Sequence, residues 1–269
     1  MSGPVTVRCT GRMTTSGLRR AAAAQQVPQF TRGGVLAVWA AAAVPMGLLS
    51  WVGAPRLADR LDGPAPLAQA LLLLMTAGLV WQFVLVAVLV ARERRTGAVT
   101  SLRDALWLRG PTDERTGRRL PRAWWWLLPL LAGTALFQLV PSLPLPADRD
   151  LGLLLSGPQG EALFRGAWGW FAVVVVLAVF NTVLGEELLF RGFLLPRMQS
   201  AFGRNDWVAN GVLFALYHVH QPWSVPAALA DTVLLALPSR RFRSAWFGIA
   251  VHSAQSVLFV GLTLAVVLS

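Results

Sequence analysis

The chain has 269 residues, of which 55% are apolar and only 14% are charged. An average soluble domain carries about 25% charged residues, so this composition excludes a disordered chain and argues against an ordinary soluble globule. The formal net charge is +11, and all 24 basic residues are Arg. Because these arginines lie between apolar runs and not along one polar face, they argue against nucleic acid as a partner.

Apolar runs long enough to cross a hydrocarbon core of about 30 Å predict five transmembrane helices. They lie at 33–54, 65–91, 124–143, 167–190 and 244–268. Two shorter runs, 207–220 and 225–238, flank a turn and form either two short helices inside the protein or one re-entrant hairpin. We therefore predict an all-α, polytopic transmembrane bundle with about seven membrane segments.

The arginines are distributed unevenly between the two sides of this predicted bundle. When the segments between spans are assigned alternately to the two sides, one side holds 20 arginines and the other holds four. Cytoplasmic segments are enriched in basic residues, so the N-terminus is predicted to be cytoplasmic and the C-terminus external. The lack of Lys, with abundant Ala, Gly and Leu, is typical of a GC-rich genome and indicates a bacterial plasma (cytoplasmic) membrane.

Three regions are predicted along the chain. Residues 1–32 contain no acidic side chain and are predicted to form a basic, flexible cytoplasmic tail. Residues 33–166 hold the first membrane helices and a cytoplasmic loop, and residues 167–269 form the membrane core that carries the chemistry. Cys9 is the only cysteine, so neither an intramolecular disulfide nor a cysteine-based metal site is possible.

Ionisable side chains within apolar segments indicate function, because each costs about 2.5–3.5 kcal/mol to insert into a membrane. Glu187 and Arg191 are spaced i,i+4 and are predicted to pair on one helix face. Glu186 points about 100° away from Glu187 and has no local partner. A structural ion pair accounts for Glu187 and Arg191, whereas the solitary Glu186 is the stronger candidate for a functional carboxylate.

All three histidines lie in or near the late apolar segments. His218 shares a helix face with Phe214, whereas His220 is predicted to point to another side, so that the two histidines do not serve one site. His252 shares a face with Ser256, and this pair could equally belong to a polar stripe that bonds neighbouring helices.

A carboxylate and two histidines on three different helices are suited to activating a water molecule. Glu can serve as a general base, and His can orient the water or donate to a developing oxyanion. The sequence has no Gly-x-Ser-x-Gly elbow, no His-Glu-x-x-His zinc motif and no phosphate loop. Asp231 is unassigned: it is either a hydrogen-bond partner of a neighbouring helix or a substrate contact.

These residues resemble the motifs of the CPBP family of intramembrane glutamic proteases. That family includes the type II CAAX prenyl endopeptidases and bacterial relatives that process bacteriocins or confer immunity to them. Its pattern is Glu-Glu-x-x-x-Arg, then Phe-x-x-x-His, then His-x-x-x-Asn or Asp. The matching residues are Glu186, Glu187, Arg191, Phe214, His218 and His252, whereas Ser256 stands where the pattern has Asn or Asp. The resemblance covers residues 167–269.

The resemblance implies a membrane-embedded hydrolase, an endopeptidase that acts on a membrane-associated protein or peptide. Glu186 would activate the attacking water with the assistance of His218. His252, together with the residue at 256, would stabilise the oxyanion. The support for this site would come from Glu187 and Arg191.

The implied partners are the lipid bilayer and a peptide or protein substrate, either lipid-anchored or a bacteriocin-like precursor. The family was formerly regarded as metal-dependent. We expect no cofactor and keep zinc, bound by the Glu and the two His, as the alternative.

Two other functions remain open. The first is a non-catalytic scaffold or bacteriocin-immunity protein of the same fold, which Ser256 favours. A small proton-coupled transporter also remains open, although the sequence lacks the two matching halves with Gly- or Pro-broken helices that are typical of transporters.

Overall fold

The computed structural model describes residues 27–137 and 149–269. Within these ranges the chain is helical, and the only β contact is an isolated bridge between Thr112 and Arg119. The helices are α1 (Arg32–Ala58), α2 (Pro66–Arg95), α3 (Leu102–Ala105), α4 (Leu127–Phe137), α5 (Leu151–Leu155), α6 (Pro158–Phe164), α7 (Trp168–Arg197), α8 (Gln199–Phe202), α9 (Asp206–Tyr217), α10 (Val225–Asp231), α11 (Leu237–Phe242) and α12 (Trp246–Leu268). Wide π-helical turns interrupt α1 at Leu49–Gly53 and α7 at Phe180–Gly185 and Leu188–Leu194, and a fourth, Thr232–Ala236, joins α10 to α11.

Four of these helices, α1, α2, α7 and α12, are long and apolar enough to cross a membrane. They confirm the predicted all-α membrane-type fold. The segment predicted at 124–143 begins in the 3₁₀ turn Pro121–Trp126 and continues as α4, and its last six residues, 138–143, lie outside the described residues. The total of seven segments and the cytoplasmic N-terminus stay predictions.

The two short apolar runs form a helical hairpin of α9 against α10 and the π turn that follows it. The preceding α8 contacts the start of α1, where Arg32 Nε donates to the Ala201 carbonyl at 3.1 Å. Near the hairpin turn, Trp51 Nε1 donates to the Val219 carbonyl at 2.8 Å. Arg32 and Trp51 are about 28 Å apart along α1 at a rise of 1.5 Å per residue. The segment from α8 to the turn therefore follows α1 over nearly the thickness of a hydrocarbon core.

Helix α7 is longer than its sequence predicted. The predicted span ended at 190, but the helix continues to Arg197, and all residues from 185 to 198 are buried. The sequence prediction paired Arg191 with Glu187 but counted both Arg191 and Arg197 in the segment that follows the span. Both arginines are buried and have carboxylate partners, the buried Glu187 and the partly buried Glu93 respectively. Residues 191–197 are therefore corrected from a loop to part of the helix.

The end of the N-terminal tail contacts α7. Gln29 Nε2 donates to the Pro196 carbonyl at 2.9 Å, and the Phe30 backbone N–H donates to the Arg197 carbonyl at 2.9 Å. The Phe30 ring also packs edge-on against Phe193. The flexible tail was predicted over residues 1–32, of which residues 1–26 lie outside the described residues.

The main apolar core lies between α1, α2, α7 and α9, and it surrounds the ionisable residues. Its fully buried members include Met46, Leu79, Phe190, Phe214 and Tyr217. Gly185 permits a close approach of α7 to α2, because an added Cβ would lie 3.1 Å from the Leu79 carbonyl oxygen. This approach brings the two glutamates that follow Gly185 into the centre of the bundle.

Candidate active site

Arg191, Glu187 and His252 form a buried polar chain where α7 meets α12. Arg191 Nη1 donates to Glu187 Oε1 at 2.8 Å, and His252 Nδ1 lies 3.0 Å from the same oxygen. The Arg191 and Glu187 side chains are fully buried. The predicted ion pair is therefore present, and His252 extends it to the last helix. An ionised carboxylate only accepts hydrogen bonds, so His252 donates through Nδ1, and its Nε2 is directed elsewhere.

Gly248 allows α12 to approach this ion pair closely. An added Cβ at this position would overlap Glu187 Oε2 and would lie 3.2 Å from Arg191 Cγ. The Gly248 backbone N–H also donates to Ser239 Oγ at 3.3 Å. Sequence reasoning missed Gly248, because a single glycine in an apolar helix carries no signal of what it faces.

Phe214 is the meeting point of the three sequence motifs. The Arg191 guanidinium carbon lies 4.0 Å from the centre of the Phe214 ring, which is a cation–π contact in a buried environment. The same ring packs edge-on against His218 at 4.9 Å and against His252 at 6.1 Å between ring centroids. The structure thus brings Phe214, His218 and His252 into one cluster with the first motif.

Glu186 is buried, with 2% of its surface exposed, and it faces His252. His252 Nε2 lies 4.0 Å from Glu186 Oε2, and this oxygen has no hydrogen-bond partner within the described residues. The hydroxyl of Tyr217 lies beside the same carboxylate and accepts a hydrogen bond from Gln82 Nε2 at 2.6 Å. Glu187 Oε2 also lacks a hydrogen-bond partner, but Arg191 balances the charge of Glu187, whereas no arginine pairs with Glu186 in the described ranges. A buried carboxylate without such a partner is costly, so its retention indicates a task.

His218 lies at the C-terminal end of α9. Its Nδ1 is 2.8 Å from the Phe214 carbonyl oxygen. Because a carbonyl only accepts, Nδ1 carries the proton in this bond, and Nε2 of the neutral ring remains free as an acceptor. Within the described residues no hydrogen bond joins His218 to Glu186 or His252, and the Phe214 and Tyr217 rings lie against it.

The prediction that His218 and His220 point to different sides is wrong. Their rings stack with centroids 5.5 Å apart and planes 24° from parallel. The α-helix ends at Tyr217, and residues 218–220 form a 3₁₀ turn, so the α-helical angle per residue does not apply to them. His220 is also buried and packs against Tyr217.

Ser256 and Asp231 lie near this cluster, and the side chain of neither makes a hydrogen bond within the described residues. Ser256 is partly buried one turn after His252 on α12. Asp231, at the end of α10, lies close enough to His252 and Arg191 for their charges to interact. The hydrogen bond to a neighbouring helix that would explain Asp231 is therefore not found in this part of the chain. Its carboxylate belongs to the surroundings of the site.

In the described ranges, no group of three or more His, Cys, Asp or Glu residues is arranged to hold a metal ion. The zinc alternative required Glu186, His218 and His252 to act as one ligand set. The absence of a cofactor stays a prediction.

Arg197 and Glu93 form a second buried ion pair, which sequence reasoning missed. Arg197 Nε donates to Glu93 Oε1 at 2.8 Å, and Nη2 donates to Oε2 at 2.5 Å. Its remaining nitrogen, Nη1, donates to the carbonyls of Ala105 and Phe193. This bidentate pair fixes the end of α7 to α2 and to the loop that holds α3. The two residues are 104 positions apart, so no local pattern links them.

The fold and the site together define a helical membrane-type protein whose ionisable residues converge in its interior. Residues 168–258 match the family described as type II CAAX prenyl endopeptidase, Rce1-like. The match confirms the resemblance noted in the sequence, and it includes all three motifs. It covers 91 of the 269 residues, from the start of α7 into α12. This part of the chain is thus similar to CAAX-type membrane endopeptidases. No curated protein and no solved structure matches the chain.

Proposed function

We propose that this protein is an intramembrane endopeptidase that hydrolyses a peptide bond of a membrane-associated protein or peptide. The observation that carries the proposal is the state of Glu186. Its carboxylate is buried, one of its oxygens lacks a hydrogen-bond partner in the described part of the chain, and His252 faces it at 4.0 Å. A carboxylate in this state is suited to accept a proton, because protonation removes the cost of its buried charge.

Glu186 is the general base of the proposed reaction. It accepts a proton from a water molecule, and the water oxygen attacks the carbonyl carbon of the scissile peptide bond. His218 assists by accepting a hydrogen bond from the same water through its free Nε2. When the C–N bond breaks, the protonated Glu186 returns the proton to the leaving amine. The products are a carboxylic acid and an amine, and the carboxylate is restored.

His252 and Ser256 stabilise the oxyanion in this proposal. With Nδ1 bonded to Glu187, a protonated His252 presents Nε2–H toward the space beside Glu186. The charge balance of the buried core favours this protonated form, because the positive Arg191 alone does not neutralise two glutamates. The Ser256 hydroxyl, one helical turn away, is the second donor. A single oxyanion donor contributes about 2.7–4 kcal/mol in other enzymes.

The substrate is proposed to be a lipid-anchored protein or a peptide precursor of the bacteriocin type, and the reaction needs no metal cofactor. The protein is proposed to reside in the bacterial plasma membrane with its N-terminus in the cytoplasm. The distance from Glu186 to the end of α7 at Arg197 is about 16 Å along the helix. The site therefore belongs to the Arg-rich, cytoplasmic half of the bundle in this topology, and substrates reach it from that side.

A non-catalytic scaffold or immunity protein of the same fold is the second candidate. Ser256 favours it, because a serine hydroxyl is shorter than the Asn or Asp side chain of the family pattern and offers a single donor. In that case the Glu187–Arg191–His252 chain serves packing alone.

The decisive experiment compares membranes that contain wild-type protein, Glu186→Gln or Glu161→Gln. Glu161 is exposed and pairs with Arg165 at the same i,i+4 spacing as Glu187 with Arg191, so its variant is a matched carboxylate-to-amide control. Mass spectrometry of new peptide N-termini should show a set of cleavages that Glu186→Gln abolishes and Glu161→Gln retains. An equal peptide set in all three samples, with equal insertion of each protein, excludes the catalytic proposal. Charge movement in reconstituted vesicles that depends on Glu186 would instead indicate the transporter.

A further inference from the structure

A cavity lined by arginines lies away from the candidate active site, on the Arg-rich side of the bundle. Its volume is about 650 Å³, and it lies between the loop that follows α2 and the turn between α11 and α12. Three hydrogen bonds fix these walls to each other: Thr112 N–H to the Phe242 carbonyl, Ser244 Oγ to the Arg109 carbonyl, and Ala245 N–H to the Trp107 carbonyl. The walls of the cavity are therefore held in fixed positions relative to each other, and the cavity is not a gap between unconnected loops.

The lining of this cavity carries an excess of positive charge. Four arginines line it, namely Arg103, Arg109, Arg119 and Arg243, whereas Asp104 is its only acidic residue. Arg109 pairs with Asp104 at 3.1 Å, but Arg109 Nε is buried without a hydrogen-bond partner in the described ranges. The other three arginines form no ion pair within those ranges. Outside the described ranges, residues 1–26 contain no acidic side chain and residues 138–148 contain one, Asp148.

Arg243 and Arg109 are held close to each other despite their like charges. Burial, and next the charge of Arg109, lower the pKa of the Arg243 guanidinium. The Arg243 backbone adopts the left-handed conformation, with φ 49° and ψ 46°, which is unfavourable for a residue with a Cβ. The charge of Glu114 acts on Arg243 in the opposite direction, but Glu114 is paired with Arg240. An anion between the guanidinium groups of Arg109 and Arg243 would supply the missing negative charge.

Tryptophans place this cavity at a membrane interface. Trp124 lines the cavity and stacks on Phe247, with ring centroids 5.3 Å apart. The next two residues, Trp125 and Trp126, expose 71% and 58% of their surface at the start of the apolar helix α4. Exposed tryptophans at the end of an apolar helix are typical of the headgroup level of a bilayer.

We propose that this cavity binds the phosphate group of an anionic phospholipid headgroup. Guanidinium groups bind phosphate oxygens through paired, charge-assisted hydrogen bonds, and four of them surround the space. A free phosphate ion has the same chemistry, but the tryptophans beside the cavity favour a phosphate that arrives with a lipid. Basic pockets at the cytoplasmic face of membrane proteins bind lipid headgroups in this way. The site is independent of the proposed peptidase function.

The test uses the full-length protein in detergent and native mass spectrometry with phosphatidylglycerol or phosphatidylcholine as the probe. The variants are Arg119→Gln and Arg243→Gln, and Arg118→Gln is the control. Arg118 and Arg119 are adjacent, exposed residues of the same loop, but only Arg119 lines the cavity. We expect phosphatidylglycerol to bind the wild type more tightly than phosphatidylcholine. Each cavity variant should lose affinity for it by about tenfold, with little change for the control.

Three results would overturn the proposal. The first is equal retention of the two lipids by the wild-type protein. The second is an equal loss of affinity in Arg118→Gln and Arg119→Gln, which would indicate general attraction to a basic surface. The third is full displacement of phosphatidylglycerol by millimolar inorganic phosphate, which would assign the site to a free anion. Because Arg119 lies on an exposed loop, its variant remains informative even when Arg243→Gln fails to fold.

Discussion

His252 donates a hydrogen bond through Nδ1 to Oε1 of Glu187 at 3.0 Å, although the two residues are 65 positions apart. The same oxygen accepts from Arg191. This arrangement separates the tasks of the two adjacent glutamates. Glu187 binds Arg191 and His252 through Oε1 and positions them, whereas Glu186 pairs with no arginine in the described ranges and faces His252 Nε2. The Oε2 atom of each carboxylate has no hydrogen-bond partner within those ranges.

The buried position of Glu187 predicts a large loss of stability in Glu187→Gln. The substitution removes the charge opposite Arg191, whose side chain is fully buried, and an unpaired buried charge costs about 3–5 kcal/mol. Chemical unfolding in detergent should show a decrease of this size. Glu161→Gln removes an exposed i,i+4 pair and should change stability by about 0–1 kcal/mol. Equal losses of stability in the two variants would show that burial does not determine how much these ion pairs contribute to stability.

The close contact of Gly248 with Glu187 predicts that Gly248→Ala disrupts the site. The added methyl group would overlap Glu187 Oε2, so either α12 moves outward or the carboxylate turns away from His252. Overpacking of this kind costs about 1–3 kcal/mol of stability. Activity per folded protein should also fall, because the carboxylate and His252 no longer keep their positions. Gly261→Ala on the same helix is the control, because nothing lies within 4 Å of its added Cβ. The prediction fails if the two alanine variants retain the same activity.

The sequence was sufficient for the elements of the site that depend on local spacing. The i,i+4 pair of Glu187 and Arg191 is present, and the resemblance to CAAX-type endopeptidases is confirmed over residues 168–258. Hydropathy also located the four long apolar helices, because length and composition alone decide whether a helix can cross a membrane.

Interactions between distant segments could not be predicted in the same way. Hydropathy treats each arginine as solvated, so it ended α7 at 190, whereas burial of Arg197 depends on Glu93 in another helix. The stacking of His218 on His220 was missed because helical angles were applied past the end of α9. The role of Gly248 depends on the crossing of α12 with α7, which the sequence of either helix does not specify.

The Arg197–Glu93 pair predicts that Glu93→Gln loosens the loop that holds α3 without touching the candidate active site. The substitution removes the negative charge and one of the two acceptor oxygens opposite a fully buried guanidinium, so a loss of about 3 kcal/mol or more is expected. Hydrogen exchange should increase around Ala105, whose carbonyl accepts from Arg197. Glu114→Gln, which removes an exposed partner of Arg240, is the matched control. Unchanged exchange around Ala105 in Glu93→Gln would contradict the proposed role of this pair as an anchor.

If the Ser256 hydroxyl is the second oxyanion donor, substitutions at this position should change kcat in a defined order. Ser256→Ala removes the donor and should lower kcat by roughly 10²-fold or more, with KM nearly unchanged, because the contact forms in the transition state. Ser256→Asn supplies an amide donor with a longer reach and should raise kcat above that of the wild type. Gln255→Ala, a neighbouring polar position on α12, should leave kcat within about twofold, in the range of a residue outside the transition-state contacts. If Ser256→Ala keeps wild-type kcat, the oxyanion is stabilised without this residue, and His252 is left as the donor.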